Sequence, residues 1–260
     1  MIDAVAIPFA VTLLLAFARL AGLMLMAPAL GEAVAPARLR VAMALVMALA
    51  VAGCHAMPVS VPQTLPALIL AVAVEVAIGA AVGYAARLVF AGLELGAFHI
   101  SQQMGLALAE VFNPFTEEAS DVVRRFFMVL AVILFFALGG HRALIGSVLG
   151  SFDVLPLGQG VSAQAALTTV VSILAMSFSL ALKVAGPVLA AMMLALAAMG
   201  LLQRTMPQCN ILSATMPIHI LLGGAILALS LGAVPGLMES AWTYASRNLA
   251  SAIDQAGRQP

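Results

Sequence analysis

A succession of long apolar segments runs along almost the whole chain and constrains its fold more than any other feature. Short stretches rich in proline, glycine or charge separate six such segments, at about 4–28, 38–57, 66–110, 122–150, 162–206 and 218–234. A helix needs roughly 20 residues to cross the hydrocarbon core of a bilayer. Only 8% of the residues are charged and 64% are hydrophobic, whereas soluble domains are typically about 25% charged. We therefore predict an all-α integral membrane protein built of long helical hairpins.

Two of the segments are too long for one perpendicular crossing. The segments at about 66–110 and 162–206 far exceed the roughly 20 residues of a span, so each must tilt, bend or project from the membrane. The polar stretch His99–Gln103 is where we expect the first of them to leave lipid. Pro187, near the centre of the second, predicts a kink or a break because proline removes a helical hydrogen bond.

The polar parts of the chain are too short to build a soluble domain. An acidic stretch from Glu110 to Asp121, turn-like around Asn113 and Pro114, joins the third segment to the fourth. The end of the chain, residues 236–260, mixes small, polar and aromatic residues and is expected to form an amphipathic helix at a surface. We therefore predict one membrane domain over residues 1–235, followed by this C-terminal tail.

Charged residues inside the apolar segments are costly where they lie. There are five of them: Arg19, Glu75, Arg87, Glu94 and Lys183. A charge at the bilayer centre costs about 2.5–3.5 kcal/mol on insertion scales, so such residues are normally paired or face a wet or protein-lined site. Three interpretations stay open: structural charges buried between subunits, an ion or proton relay, or helices that never reach the bilayer centre.

Glycines recur at a spacing of four residues in three apolar helices. The pairs are Gly79 with Gly83, Gly92 with Gly96, and Gly146 with Gly150. This spacing places two small residues on one helix face and lets two helix backbones approach closely. We predict that the three pairs lie at helix–helix contacts.

Residue patterns typical of catalytic or ligand sites are missing from the sequence. Cys54 and Cys209 form no CxxC pair, the four histidines do not cluster, and no HExxH, GxSxG or Walker motif occurs. The formal net charge is zero, which gives no indication of nucleic acid binding. We therefore expect no enzyme activity, no metal and no cofactor.

Short motifs in a fixed order give the chain a resemblance to a known family. From the amino terminus they are FARLAGL at 17–23, PARLRV at 36–41, ARLVF at 86–90, QMGL at 103–106 with FNP at 112–114, LKVAGP at 182–187 and PQCNIL at 207–212. Together they resemble the FliR family of flagellar and type III export-gate subunits over about 5–225. Two positions depart from the family pattern, since Asn113 replaces the more usual aspartate and Leu212 the usual phenylalanine.

The resemblance implies a function that the composition does not reveal. Family members form part of the type III export gate in the bacterial inner membrane, at the flagellar basal body. They assemble with FliP-like and FliQ-like subunits into a helical pore complex, contact other export apparatus proteins, and pass unfolded proteins. A loop after the QMGL motif is implied to plug the closed pore. Here it covers about 104–121, and the implied gating residues are Gln103, Met104, Gly105, Leu106, Glu110, Phe112, Asn113 and Pro114.

Alternatives to this function remain open at the level of sequence. A homologous subunit of a virulence-type injectisome, which exports effectors, would carry similar motifs. A small-solute secondary transporter could use Arg19, Glu75, Arg87 or Lys183 to couple substrate or protons. From its residues alone, the stretch at 104–121 also fits an exposed polar loop between two helices.

Overall fold

The computed structural model describes residues 2–28, 36–54, 62, 64–106, 122–158, 163–205 and 211–257. Over these ranges the regular structure is helical. The α-helices are α1 (Ile2–Met26), α2 (Ala37–Cys54), α3 (Leu65–Gln103), α4 (Val122–Ala137), α5 (Gly140–Val154), α6 (Ala163–Thr205), α7 (Ile211–Ser230) and α8 (Val234–Gly257), and a short 3-10 turn, Leu231–Ala233, joins the last two.

The helices have the length and composition of membrane spans. Four stretches are long and apolar enough to cross a bilayer: Ile7–Met26, Leu65–Gln103, Leu167–Thr205 and Thr215–Gln255. The bent pair α4 and α5 gives a fifth if it counts as one span. Large apolar side chains on them stay uncovered, Leu194 at 74% and Leu229 at 85% exposure for example. The prediction of an all-α integral membrane protein is confirmed.

The two over-long segments form single helices. Helix α3 has 39 residues and α6 has 43. Pro187 lies inside α6 without interrupting it, so the break that its position suggested does not occur. At about 1.5 Å per residue, each helix is roughly twice as long as the hydrocarbon core is thick.

The segment predicted at about 122–150 as one helix is divided in two. Helices α4 and α5 meet at an angle of 61°. Gly139, between them, has φ of 70°, in the left-handed region. A residue with a Cβ adopts this conformation only at a cost, whereas glycine adopts it freely. The continuous apolar pattern across 122–150 therefore concealed a bend that the Gly139–Gly140 pair permits.

Packing divides the chain into two compact units. The first contains Met1–Leu88, Gly139–Leu174 and Trp242–Pro260, and the second contains Val89–Leu138 and Ala175–Ala241. Helices α3, α6 and α8 each contribute residues to both units. The predicted boundary at residue 235 lies just inside the start of α8, and the division into a membrane domain and a tail stays a prediction.

Buried side chains fill each unit separately. Within the first unit α1 packs against α2, and Leu15, Leu20 and Leu23 of α1 are at most 1% exposed. In the second unit, the ring centroids of Phe90 on α3 and Phe135 on α4 are 5.5 Å apart, in an edge-to-face arrangement.

Glycines allow α1 and α3 to approach closely in the first unit. A Cβ on Gly79 would collide with the backbone carbonyl oxygen of Arg19, and one on Gly22 with that of Val76. A Cβ on Gly83 would come within 2.8 Å of the carbonyl oxygen of Leu23. Because the obstructing atoms belong to the backbone, a larger residue could not be accommodated by turning a side chain away.

A similar close approach occurs in the second unit, between α3 and α6. A Cβ on Gly92 would lie 2.6 Å from the carbonyl oxygen of Ser177, and one on Gly96 would lie 3.0 Å from that of Ala181.

The third glycine pair behaves differently. Gly146 and Gly150 lie on the exposed face of α5, and a Cβ on either would meet no heavy atom within 4 Å. Within the described part of the chain, the helix contact predicted for this pair is therefore absent.

Replacing Gly79 with alanine should destabilise the protein, because the new methyl group has to push α1 and α3 apart. Overpacking of this kind typically costs about 1–3 kcal/mol. The matched control is Gly146→Ala, which should be neutral or stabilising by about 0.5–1 kcal/mol, since an exposed helical glycine only loses backbone freedom. Thermal stability of the detergent-solubilised protein, followed by fluorescence-detected size-exclusion chromatography, measures both. Equal melting temperatures for the two variants would contradict the close α1–α3 contact.

Candidate functional site

The most deeply buried charges in the described part of the chain form an ion pair in the first unit. Arg19 of α1 and Glu75 of α3 are both 0% exposed. The Nε atom of Arg19 donates to Oε2 of Glu75 at 2.6 Å. Two charges this deep are tolerated when they neutralise each other and when their remaining hydrogen-bonding atoms also find partners.

The rest of the Arg19 guanidinium binds the carboxyl-terminal end of α5. Nη1 donates to the backbone oxygen and to Oγ of Ser151, at 3.1 and 3.0 Å, and Nη2 donates to the backbone oxygen of Leu155 at 3.1 Å. The guanidinium carbon also lies 4.5 Å from the ring centroid of Phe152. The Ser151 carbonyl also accepts from the Leu155 N–H at 2.9 Å. Because the carboxyl-terminal end of a helix carries partial negative charge, the Arg19 cation stabilises this end of α5.

The second oxygen of Glu75 fixes the residues that follow α5. The backbone N–H of Gly158 donates to Oε1 of Glu75 at 2.9 Å. Gly158 has φ of 85°, a left-handed conformation that suits glycine. The ion pair therefore joins α1, α3 and the end of α5, and both carboxylate oxygens and all three guanidinium nitrogens have partners.

The other charges predicted inside apolar segments lie elsewhere. Glu94 on α3 pairs with Arg124 on α4 at 2.9 Å, and both side chains are partly exposed. Arg87 and Lys183 are exposed. The five charges thus do not form one chain of groups, and the saturated Arg19–Glu75 pair favours a structural role over a proton relay.

Sequence reasoning did not assign a role to the α5 end of this network. Ser151 and Gly158 contribute to it largely through backbone atoms. A backbone carbonyl or N–H leaves no residue-type signal. The one available signal was Gly158 itself, two residues after Pro156 in a turn.

The described part of the predicted gating segment is packed against α7 in the second unit. Met104 is 5% exposed, and a Cβ on Gly223 would lie 2.6 Å from the Met104 side chain. Gly105 has φ of 78°, and a Cβ there would be 3.3 Å from the sulfur of Met216. Gln103 ends α3, and Leu106 follows in a turn. The predicted gating residues Glu110, Phe112, Asn113 and Pro114 lie outside the described residues.

The first unit contains an apolar cavity of about 270 Å³ between α3, α6 and α8, whose lining includes Ile78, Ile173 and Leu249. Thr169 supplies the polar side chain of its lining. Among the described residues, no group of three or more His, Cys, Asp or Glu side chains could hold a metal ion.

Removing one member of the buried ion pair should be far more damaging than removing both. Arg19→Met leaves the Glu75 carboxylate buried without a counter-ion, which typically costs about 3–5 kcal/mol. The double variant Arg19→Met/Glu75→Gln should recover part of this loss, because glutamine is neutral and still accepts from the Gly158 N–H. Arg87→Met, at an exposed arginine of the same helix as Glu75, is the control and should change stability little. Melting temperatures in detergent test the series, and additive losses would argue against coupling.

Comparison with known proteins identifies the family. The family described as bacterial export proteins, family 1, matches residues 10–245. A relative from Caulobacter vibrioides, named flagellar biosynthetic protein FliR, is 33% identical over 236 residues, 90% of this chain and 92% of its own. Relatives of the same name from Pectobacterium carotovorum, 30% identical over 65% of each chain, and Escherichia coli, 29% identical over 56% of each, also match. The chain therefore belongs to the bacterial export proteins, family 1.

Proposed function

We propose that the chain is a subunit of the flagellar type III protein export gate in the bacterial inner membrane. It helps to form and gate the pore through which unfolded flagellar proteins cross. The observation that carries this proposal is the likeness to a flagellar biosynthetic protein over 90% of the chain and 92% of the relative. In this role the chain acts as a structural and gating component and has no chemistry of its own.

Exposed apolar surface supports assembly with other membrane subunits. Helices α3 and α6 are each too long for one bilayer crossing and carry uncovered apolar side chains along their length. Part of each helix must therefore lie outside hydrocarbon, where only protein can cover it. We propose that FliP-like and FliQ-like subunits provide this cover in a hetero-oligomeric pore complex.

The buried network around Arg19 and Glu75 supports a structural role for these charges rather than a role in binding a transported solute. A secondary transporter needs charged groups that bind and release a substrate or proton. Arg19 and Glu75 are instead inaccessible and engaged at every polar nitrogen and oxygen of their charged groups. We propose that this network holds the first unit in one arrangement while the gate operates elsewhere.

Gating is proposed to reside in the segment at about 104–121. Its start is anchored in the second unit by Met104, which is buried against Gly223. A flexible thioether side chain can seal an irregular gap and repack when a neighbour moves. The segment would close the pore in the resting gate and be displaced by a passing substrate.

Deletion of the gene should abolish flagellar export. An in-frame deletion in the source bacterium should remove hook and filament proteins from the culture medium while leaving them detectable inside the cells. A plasmid copy of the intact chain should restore them, which controls for effects on neighbouring genes. Immunoblots of medium and cell fractions measure the outcome.

A different result would redirect the assignment. Normal hook and filament secretion with loss of effector secretion would place the chain in an injectisome. Normal secretion of both would exclude a role in type III export.

Shortening the proposed plug should make the closed gate leak. A complex that lacks residues 107–118 keeps Met104 but loses the segment proposed to fill the pore. Its conductance in a planar bilayer, without substrate, should rise well above that of the intact complex. A matched variant in which the same residues are replaced by a Gly/Ser linker of equal length distinguishes loss of the specific side chains from loss of length. Equal conductance of the intact and shortened complexes would contradict the plug.

A further inference from the structure

Lys183 occupies the middle of the longest helix, where a charge is hardest to accommodate. Helix α6 runs from Ala163 to Thr205, and its other charged residue is Arg204, at the carboxyl-terminal end. With a rise of about 1.5 Å per residue, Lys183 lies roughly 30 Å from either end of α6. A lysine side chain cannot extend far enough along the helix to reach either end.

Placing the bilayer elsewhere along α6 does not remove the difficulty. If hydrocarbon covers the middle of the helix, the Lys183 ammonium lies in lipid unless a protein partner receives it. If hydrocarbon covers only one half, about 30 Å of the other half projects from it. Whichever half projects, it carries exposed apolar side chains. Leu167 in the amino-terminal half is 63% exposed, and Leu194 in the carboxyl-terminal half is 74% exposed. Both placements call for a protein surface against α6.

Lys183 also has a backbone group that the helix leaves without its usual partner. The residue four positions later is Pro187, which has no N–H to donate to the Lys183 carbonyl. Gly186 lies beside it, and a Cβ at Gly186 would meet no heavy atom within 4 Å. A cationic side chain, a carbonyl oxygen and an open glycine thus coincide on one exposed part of α6. We call residues Lys183–Pro187 the α6 notch.

The described residues of this chain provide no ion-pair partner for Lys183 in the α6 notch. Lys183 is exposed, and none of the ion pairs formed among the described residues involves it. The two carboxylates of α3, Glu75 and Glu94, are engaged by Arg19 and Arg124. Charge complementarity therefore calls for a carboxylate on the protein surface that covers this part of α6.

We propose that the α6 notch is the docking site for a transmembrane helix of another subunit, one that places a carboxylate against the Lys183 ammonium. The flanking exposed side chains Phe178, Leu182 and Met193 form the apolar part of this surface. Gly186 lets the partner helix approach closely, and a hydroxyl or amide donor on it satisfies the Lys183 carbonyl. The inference rests on the proposed function in so far as the partner is another gate subunit.

Photo-crosslinking identifies what lies against the α6 notch in living cells. A photoreactive phenylalanine at Leu182, which is 64% exposed next to Lys183, should crosslink to another membrane protein, and mass spectrometry of the product should map to an apolar segment with a carboxylate. The control position is Leu202 near the end of the same helix, which should not crosslink to that segment. Crosslinks to lipid alone, or to a second copy of this chain, would overturn the proposal.

Substitutions of Lys183 test the charge requirement. Lys183→Met should reduce the assembled complex on native gels by roughly tenfold or more, because the partner carboxylate is left buried without a counter-ion. Lys183→Arg should retain most of it, and Lys183→Glu should recover when the mapped carboxylate is changed to lysine. Leu202→Met, at an exposed leucine near the end of the same helix, is the neutral control. Unchanged assembly of Lys183→Met would show that Lys183 has no docking role.

The docking proposal and the flagellar assignment can be contradicted independently of each other. Crosslinking and native gels report assembly, whereas the deletion experiment reports secretion. A crosslinked carboxylate-bearing helix together with normal flagellar secretion would keep the docking surface and discard the proposed function. Absence of that crosslink together with lost flagellar secretion would keep the proposed function and discard the docking surface.

Discussion

The ion pair between Arg19 and Glu75 determines how three elements of the first unit meet. A buried charge is tolerated only where opposite charge and hydrogen-bonding groups surround it, so the position of Arg19 requires Glu75, the end of α5 and Gly158 to be present together. Arg19 in turn donates to the Leu155 carbonyl and places a positive charge at the carboxyl-terminal end of α5. The network is neutral overall and leaves no charge exposed to lipid.

Close packing of backbones complements this network. Gly79 lies one turn after Glu75 on α3, and its contact is the backbone of Arg19 itself. The same short stretch of the two helices therefore combines the closest approach of the main chains with the ion pair. Small residues let the helices meet without a gap, which keeps lipid and water away from the charges. In a medium where apolar burial contributes little to helix association, such packing and hydrogen bonding supply most of the specificity.

Much of the fold could be predicted from the sequence because the bilayer imposes a simple rule on segment length and polarity. The positions of the apolar helices followed from that rule, and the glycine spacing predicted the close contacts of Gly79, Gly83, Gly92 and Gly96. The bend at Gly139 was missed because hydropathy is insensitive to backbone direction.

For the candidate site, Arg19 and Glu75 stood out because charge is rare in these segments. Their pairing could not be derived, since nothing in a sequence gives the relative rotation of two helices 56 residues apart. The carbonyl groups of Ser151 and Leu155 were beyond prediction for the same reason.

The sequence separations within the network have a consequence for biosynthesis. Arg19 leaves the ribosome first, Glu75 follows 56 residues later, and the Leu155 carbonyl comes 136 residues after Arg19. During that interval the nascent α1 carries an uncompensated cation. Helix α1 therefore has to wait in a hydrated part of the insertion machinery, or at the membrane surface, until α3 arrives to neutralise it. Within this network α1 and α3 can pair before α5 is made, so α5 joins a site that is already formed. Formation of this network is thus timed by translation of the chain through residue 158.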